Sequence, residues 1–229
     1  LIALCAILLA SAGYWYFLRS RSFTVFQAIP EQTALALYTP GLNALITPDN
    51  PDMTNFEWIK AARAEVEQFN ALWLRKGAPA LLSAGSQAIA AFSLSDTDSL
   101  HPVFILAVPE KVKITEVISG SGSDYRVHVA LFQGNSIIEI RQPGQRAIYL
   151  SQSRNLVLFS RYSYLVEDAL LQLKKKNDWW EQQGRDIERN QQTGFTQVII
   201  STGMIDERCR GNKAPQWANL PEWFEAQIA

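Results

Sequence analysis

The side chains able to do chemistry are few and scattered. The 229 residues hold two histidines and two cysteines. His101 precedes Pro102 at the start of a strand candidate, and His128 falls on the polar side of an alternating run. No third ligand type clusters near either, so turn and surface histidines are expected and a metal centre is not. Cys209 lies in Glu207-Arg208-Cys209-Arg210, where two guanidinium groups favour a thiolate. It has no identifiable histidine partner to make it a nucleophile. Glu181, Asp186 and Glu188 offer the paired carboxylates of general acid–base chemistry. Arg185 and Arg189 are interspersed among them, so a solvated polar segment is the plainer reading. Gly120-Ser121-Gly122-Ser123-Asp124 imitates a phosphate loop but lacks the lysine and preceding strand of a P-loop. No serine sits in a G-x-S-x-G elbow. Neither an enzyme activity nor a cofactor is expected from these residues.

Aromatic residues are the stronger signal. There are seven tryptophans. Trp58 and Trp73 belong to a helical segment, whereas Trp179, Trp180, Trp217 and Trp223 fall in irregular polar stretches. Exposed there, those four would form a protein interface, where Trp is enriched as an anchor. Small satellite cores under loops would account for them equally well.

Composition bounds the rest. Lys+Arg number 21 against 22 Asp+Glu, a net charge of -1, so there is no basic footprint for nucleic acid. With 48% hydrophobic and 19% charged residues the chain is neither disordered nor low-complexity. Residues 1–18, LIALCAILLASAGYWYFL, carry no charge. As a helix they would reach about 27 Å at about 1.5 Å per residue, close to a hydrocarbon layer of roughly 30 Å. Tyr14, Trp15 and Tyr16 suit the headgroup layer, and Arg19 and Arg21 follow. A transmembrane helix in contact with lipid is therefore expected over 1–18. Ala10-Ser11-Ala12 fits a signal-peptidase site, but the run stays apolar beyond it. Leu4 before Cys5 argues against a lipid-attachment box. The sequence does not open on Met, so earlier residues carrying Lys or Arg are expected, which favours an extracytoplasmic domain although Arg19 and Arg21 alone favour the cytoplasm. Cys5 and Cys209 are not expected to pair.

Periodicity then places the elements. A linker is expected over 19–30, a strand over Thr33–Tyr38, and a helix opened by the capping box Thr54-Asn55-Phe56-Glu57. Phe56, Ile59, Ala62, Val66, Phe69 and Trp73 form its buried stripe, and Arg75, Lys76, Gly77 and Pro79 close it. Gln87–Leu94 and Pro102–Val108 read as strands, the second apolar on both faces and so central. A short helix is expected within Glu110–Ser119. Tyr125, Val127, Val129 and Leu131 alternate with Arg126, His128 and Ala130 as in a half-buried strand. Ser136–Arg141, Ala147–Ser151 and Leu156–Ser160 complete a meander, with turns at Gln133-Gly134-Asn135, Pro143-Gly144 and Arg154-Asn155. Leu165, Val166, Ala169, Leu170 and Leu173 stripe a helix over Tyr162–Lys176. Its Lys174-Lys175-Lys176 end suits the helix dipole or anionic lipid. Phe195–Ser201 is a last strand candidate. The expected class is α+β, a mostly antiparallel sheet with helices packed on one face, spanning 31–176. An irregular extension is expected over 177–229, leading into a further region.

One resemblance rests on these residues. An N-terminal membrane helix followed by Ala28-Ile29-Pro30-Glu31-Gln32-Thr33-Ala34, and the strand-strand-helix stretch Ala147–Leu173, resemble single-pass bacterial envelope proteins with a domain of unknown function of the DUF3352 type, in their Bacteroidota-type form. The likeness covers roughly residues 22 to 176 and implies an inner-membrane, single-pass protein with a periplasmic domain. The family brings no catalytic residues. The expected function is a membrane-anchored extracytoplasmic interaction or accessory protein of the envelope, with a protein partner in a membrane complex. The alternatives are a membrane-surface hydrolase or transferase, and a binding module for lipid or cell-wall fragments.

Overall fold

The structure is a computed structural model and describes residues 22–39, 41–42, 57–74, 87–94, 99–109, 113–115, 125–175, 178–189 and 197–201. Among the described residues eight strands form one sheet: β1 Thr33–Thr39, β2 Ala88–Leu94, β3 Leu100–Ala107, β4 Arg126–Phe132, β5 Asn135–Arg141, β6 Ile148–Ser153, β7 Leu156–Ser160 and β8 Gln197–Ile200. Their order is β4-β5-β6-β7-β3-β2-β1-β8, and every neighbouring pair is antiparallel. Short turns drive the meander. Gln133 and Gly134 both take positive φ, 48° and 85°, the geometry whose twist matches a two-residue hairpin.

Helices cover both faces of the sheet, not one. Helix α1, Glu57–Leu74, packs Ile59, Ala62, Val66 and Phe69 against Leu35, Leu37, Ala90, Phe92, Phe104 and Phe159. Phe69 stacks on Phe159 with centroids 4.0 Å apart. Helix α2, Ser163–Gln172, packs Leu165, Val166, Ala169 and Leu170 against the other face, with Ala36, Ile89, Ala91, Val103, Ile105 and Leu158. The physical reason is alternation: β1, β2 and β3 are apolar at odd and even positions alike, so both of their faces need cover.

The chain before β1 and after α2 is built into the second face. Val25–Ala28 forms a 3-10 turn whose Val25, Phe26 and Ala28 are buried, where a linker over 19–30 was expected. The Asn155 side chain bonds the Phe23 backbone twice, accepting from its N–H at 2.7 Å and donating to its carbonyl at 2.8 Å. The region expected to be irregular after 176 contains helix α3, Asp178–Arg189, and the strand candidate at Phe195–Ser201 forms β8, which pairs with β1. Trp180, Gly184 and Ile187 recur on one side of α3; Trp180 belongs to the buried cluster that holds Phe26, and Ile187 packs against that cluster. A Cβ on Gly184 would fall 2.5 Å from the Phe26 ring, so glycine lets the two elements meet.

Among the described residues no helix is long and apolar enough to cross a membrane. Residues 1–18, the capping box Thr54-Asn55-Phe56, the glycine-rich run at 120–124, Cys209, Trp217 and Trp223 lie outside the described residues.

Candidate functional site

Two features stand apart from the cores: a polar cluster where β3 begins and β7 ends, and the outer strand β4.

Ser99 and His101 are two residues apart, so at strand period they share a face of β3, the face of Val103 and Ile105 that α2 covers. Their spacing brings Ser99 Oγ to 2.9 Å from His101 Nε2. Tyr162 and Tyr164 reach the same place from the start of α2. Tyr162 stacks on the imidazole, centroids 3.8 Å apart and 8° from parallel, and Tyr164 Oη lies 2.7 Å from His101 Nδ1. Ser160 sets this approach. Its hydroxyl donates to the Pro102 carbonyl at 2.7 Å and accepts from the Tyr162 N–H at 3.1 Å. Pro102 has no N–H of its own to give a ladder, and β7 pairs with β3 only over Phe104–Ala107.

Burial holds the His101 pKa below the usual histidine value. The ring is thus neutral at pH 7, one nitrogen a donor and the other an acceptor. A hydroxyl, a neutral imidazole and a second hydroxyl in line follow the order nucleophile, base, orienting group. The polar row continues across the sheet. Ser93 of β2 pairs with His101, and Thr33 of β1 pairs with Ser93. Both of those hydroxyls are buried without a hydrogen-bond partner.

On the opposite face of the sheet, the next residue after Ser160 meets α1. The Arg161 N–H donates to Glu65 Oε2 at 3.2 Å, and its guanidinium donates to Gln68 Oε1 at 2.9 and 3.3 Å. Gln68 Nε2 in turn donates to the Arg146 carbonyl at 3.0 Å. Burial pushes the Glu65 carboxyl up to about 7, against the opposing pull of Arg161 and Arg146.

Strand β4 is an edge. Among the described residues it pairs with β5 alone, without a register shift. By register Val127 lies opposite Ile140 and Val129 opposite Ile138, so both point to the α1 side of the sheet. Ile138 and Ile140 are buried, yet Val127, Val129 and Leu131 are 43%, 56% and 79% exposed. The expected half-buried strand is therefore exposed on both faces, because α1 does not extend over it. His128 is exposed opposite Glu139, and Glu139 is ion-paired with Arg141.

Of the tryptophans proposed for an interface, Trp179 is exposed and Trp180 is buried in the second core. Trp180 is removed from that set by the pairing of α3 with the 3-10 turn; the two rings meet edge to face at 4.4 Å. On α3, Asp186 accepts from Gln182, and Arg185 donates to Gln182, which leaves these charges in a surface network. Lys174 Nζ donates to the Gln133 carbonyl and side chain, tying α2 to the β4–β5 turn. Among the described residues no group of three or more His, Cys, Asp or Glu is placed to hold a metal ion.

Ser99, Tyr162, Tyr164, Glu65 and Arg161 were not singled out by sequence. The available signal was Ser99-x-His101 at strand period; the tyrosines come from some 60 residues further on. No protein-family model matches the chain, and the searches of curated proteins and of solved structures returned no match either.

Proposed function

We propose that the chain is a membrane-anchored, extracytoplasmic interaction or accessory module of the bacterial envelope, single-pass in the inner membrane, which docks a protein partner along β4. The exposure of Val127, Val129 and Leu131 on an edge strand carries this reading. Edge strands are ordinarily protected by lysines, proline, bulges or shortness. The other edge, β8, has four residues, whereas β4 has seven, no Lys or Pro, and an unshifted register. Such an edge takes an added strand, with main-chain bonds supplying affinity and alternate side chains specificity. The apolar run 1–18 supports the anchor, and the DUF3352-like pattern supports the envelope setting. The test is purification of the tagged full chain from its native membranes in mild detergent, followed by sizing and mass spectrometry. A stoichiometric protein held by the native chain and lost from Leu131→Lys is expected. A monomer without any bound protein would overturn the reading.

A second reading is favoured by one observation, the line Ser99–His101–Tyr164. In an ester hydrolase at the membrane surface, Ser99 Oγ would attack the carbonyl carbon and pass its proton to His101 Nε2. The alcohol would leave with that proton, and water would then release the acid. A fluorophosphonate probe distinguishes this reading: it labels Ser99 in the folded chain and not in His101→Ala, or it leaves Ser99 unlabelled and the reading fails.

A further inference from the structure

Strand β4 is an exposed edge of the sheet. Building on the docking reading above, we propose that its partner is a second copy of this chain, joined β4 to β4 in antiparallel register about a two-fold axis through Val129.

Backbone parity gives the first argument. Phe132 and Asn135 flank the two-residue turn Gln133–Gly134, and in such a hairpin the flanking pair is a hydrogen-bonded one. Antiparallel pairs alternate between bonded and non-bonded positions. Ala130, His128 and Arg126 therefore turn their N–H and C=O toward β5, and Leu131, Val129 and Val127 turn theirs outward. The free hydrogen-bonding groups of the edge belong to the same three residues whose apolar side chains are exposed.

Side-chain complementarity gives the second. With the axis at Val129, the seven residues of β4 pair over their full length. Val129 meets Val129 of the other copy, and Val127 meets Leu131, so each exposed apolar side chain opposes another on one face. On the other face His128 stands across from Ala130, and Arg126 across from Phe132, where a guanidinium can lie on the ring. No like charges oppose each other, the arrangement that would repel directly opposite residues. Centring the axis on His128 instead would set the two imidazoles face to face.

Closure gives the third. Pairing β4 with the β8 edge of another copy would be head to tail and would leave free edges to continue a fibre. The two-fold pairing consumes both β4 edges and stops. It also makes the buried Ile138 and Ile140 rows of two copies continuous through Val127 and Val129.

The test places a photoreactive benzoylphenylalanine at position 129 of the full chain in its membrane, with irradiation and peptide mapping. A cross-link from 129 to residues 126–132 of a second copy is expected. A cross-link to a different protein would overturn the second copy and leave the docking reading standing; no cross-link at all would overturn both. Register is read by charge exchange on detergent-solubilised chain. Val127→Glu and Leu131→Lys, each alone, weaken self-association about tenfold or more. The double variant recovers it, because the introduced carboxylate and ammonium face each other only between copies. Failure of the double variant to recover would overturn the register about Val129.

Discussion

Asn155 and Phe23 form a reciprocal pair across 132 residues of chain: one side-chain amide satisfies both the N–H and the C=O of one backbone unit. The amide acts as one rung of a strand pair, and it fixes the segment before the 3-10 turn to the β6–β7 turn. Arg154, at φ 52° in that turn, lays its guanidinium 4.6 Å from the Phe23 ring centroid. Asn155→Ala strands both Phe23 groups in a partly buried place. A loss of about 1–3 kcal/mol is expected in denaturant unfolding, as for buried groups left unpaired. Asn155→Asp keeps the acceptor for the Phe23 N–H but sets a carboxylate oxygen against the Phe23 carbonyl, so it is destabilised as well; an unchanged Asn155→Ala would show that the segment is not held there.

Close approach at Gly184 makes a second prediction. Alanine there places a methyl 2.5 Å from two ring carbons of Phe26, which itself stacks on Tyr38 at 5.3 Å. Gly184→Ala is expected to destabilise by about 1–3 kcal/mol despite alanine's better helix propensity. Thermal unfolding measures it, and a stabilised variant would mean that α3 does not pack against the 3-10 turn.

Glu65 sets a pH dependence with a definite sign. Its folded pKa near 7 stands above the ordinary 4.5, so the folded state binds a proton that the unfolded state has released in that interval. Its contribution is complete below about pH 4.5 and is lost as pH rises through 7, a change of about 3 kcal/mol. Glu65→Gln keeps an acceptor for the Arg161 N–H and removes the titration. Wild-type stability minus that of the variant should fall between pH 4.5 and 7 and level off above; a flat difference would refute the buried carboxyl.

His101 makes an opposite kind of prediction, because burial lowers its pKa. The imidazole resonances should titrate with a midpoint below 6.5, and any fluorophosphonate labelling of Ser99 should persist to the same pH. A midpoint above 6.5 would mean that the ring is solvated, not stacked beneath Tyr162.

The local order of elements was legible because periodicity and turn chemistry are local. The α1 stripe Ile59-Ala62-Val66-Phe69, the hairpin at Gln133-Gly134 and the stripe of α2 all form as their spacing predicts. The expectation of helices on one face missed the two-sided cover, although the signal was there: Pro102–Val108 is apolar at every position, and one layer of helices cannot bury both faces. What escaped depends on distance in sequence. Nothing near Trp180 announces that it will be buried in the cluster that holds Phe26, and α3 offers only Trp180, Gly184 and Ile187 as an inward face. The polar cluster escaped for the same reason: Ser99-x-His101 is an ordinary strand pair until Tyr162 and Tyr164 arrive from another strand's end. The exposure of β4 was hidden because alternation says which side chains share a face, not whether a helix is long enough to reach them.

The placement of β1 bears on how the domain is made. β1 lies between β2 and β8, and the Ser201 N–H donates to the Ala34 carbonyl at 2.9 Å beyond the last paired strand residue. A ribosome delivers β1 and the 3-10 turn early, yet Gln197–Ile200 and the Trp180 face of α3 emerge only some 150 residues later. Until then the outer edge of β1 has no partner and Phe26 has no lid. The last contacts to form are thus the ones most distant along the chain, the kind that slows folding most. A nascent chain halted before residue 197 would hold an unpaired β1 edge, and protease access at Leu35–Tyr38 should vanish only when β8 has cleared the exit tunnel.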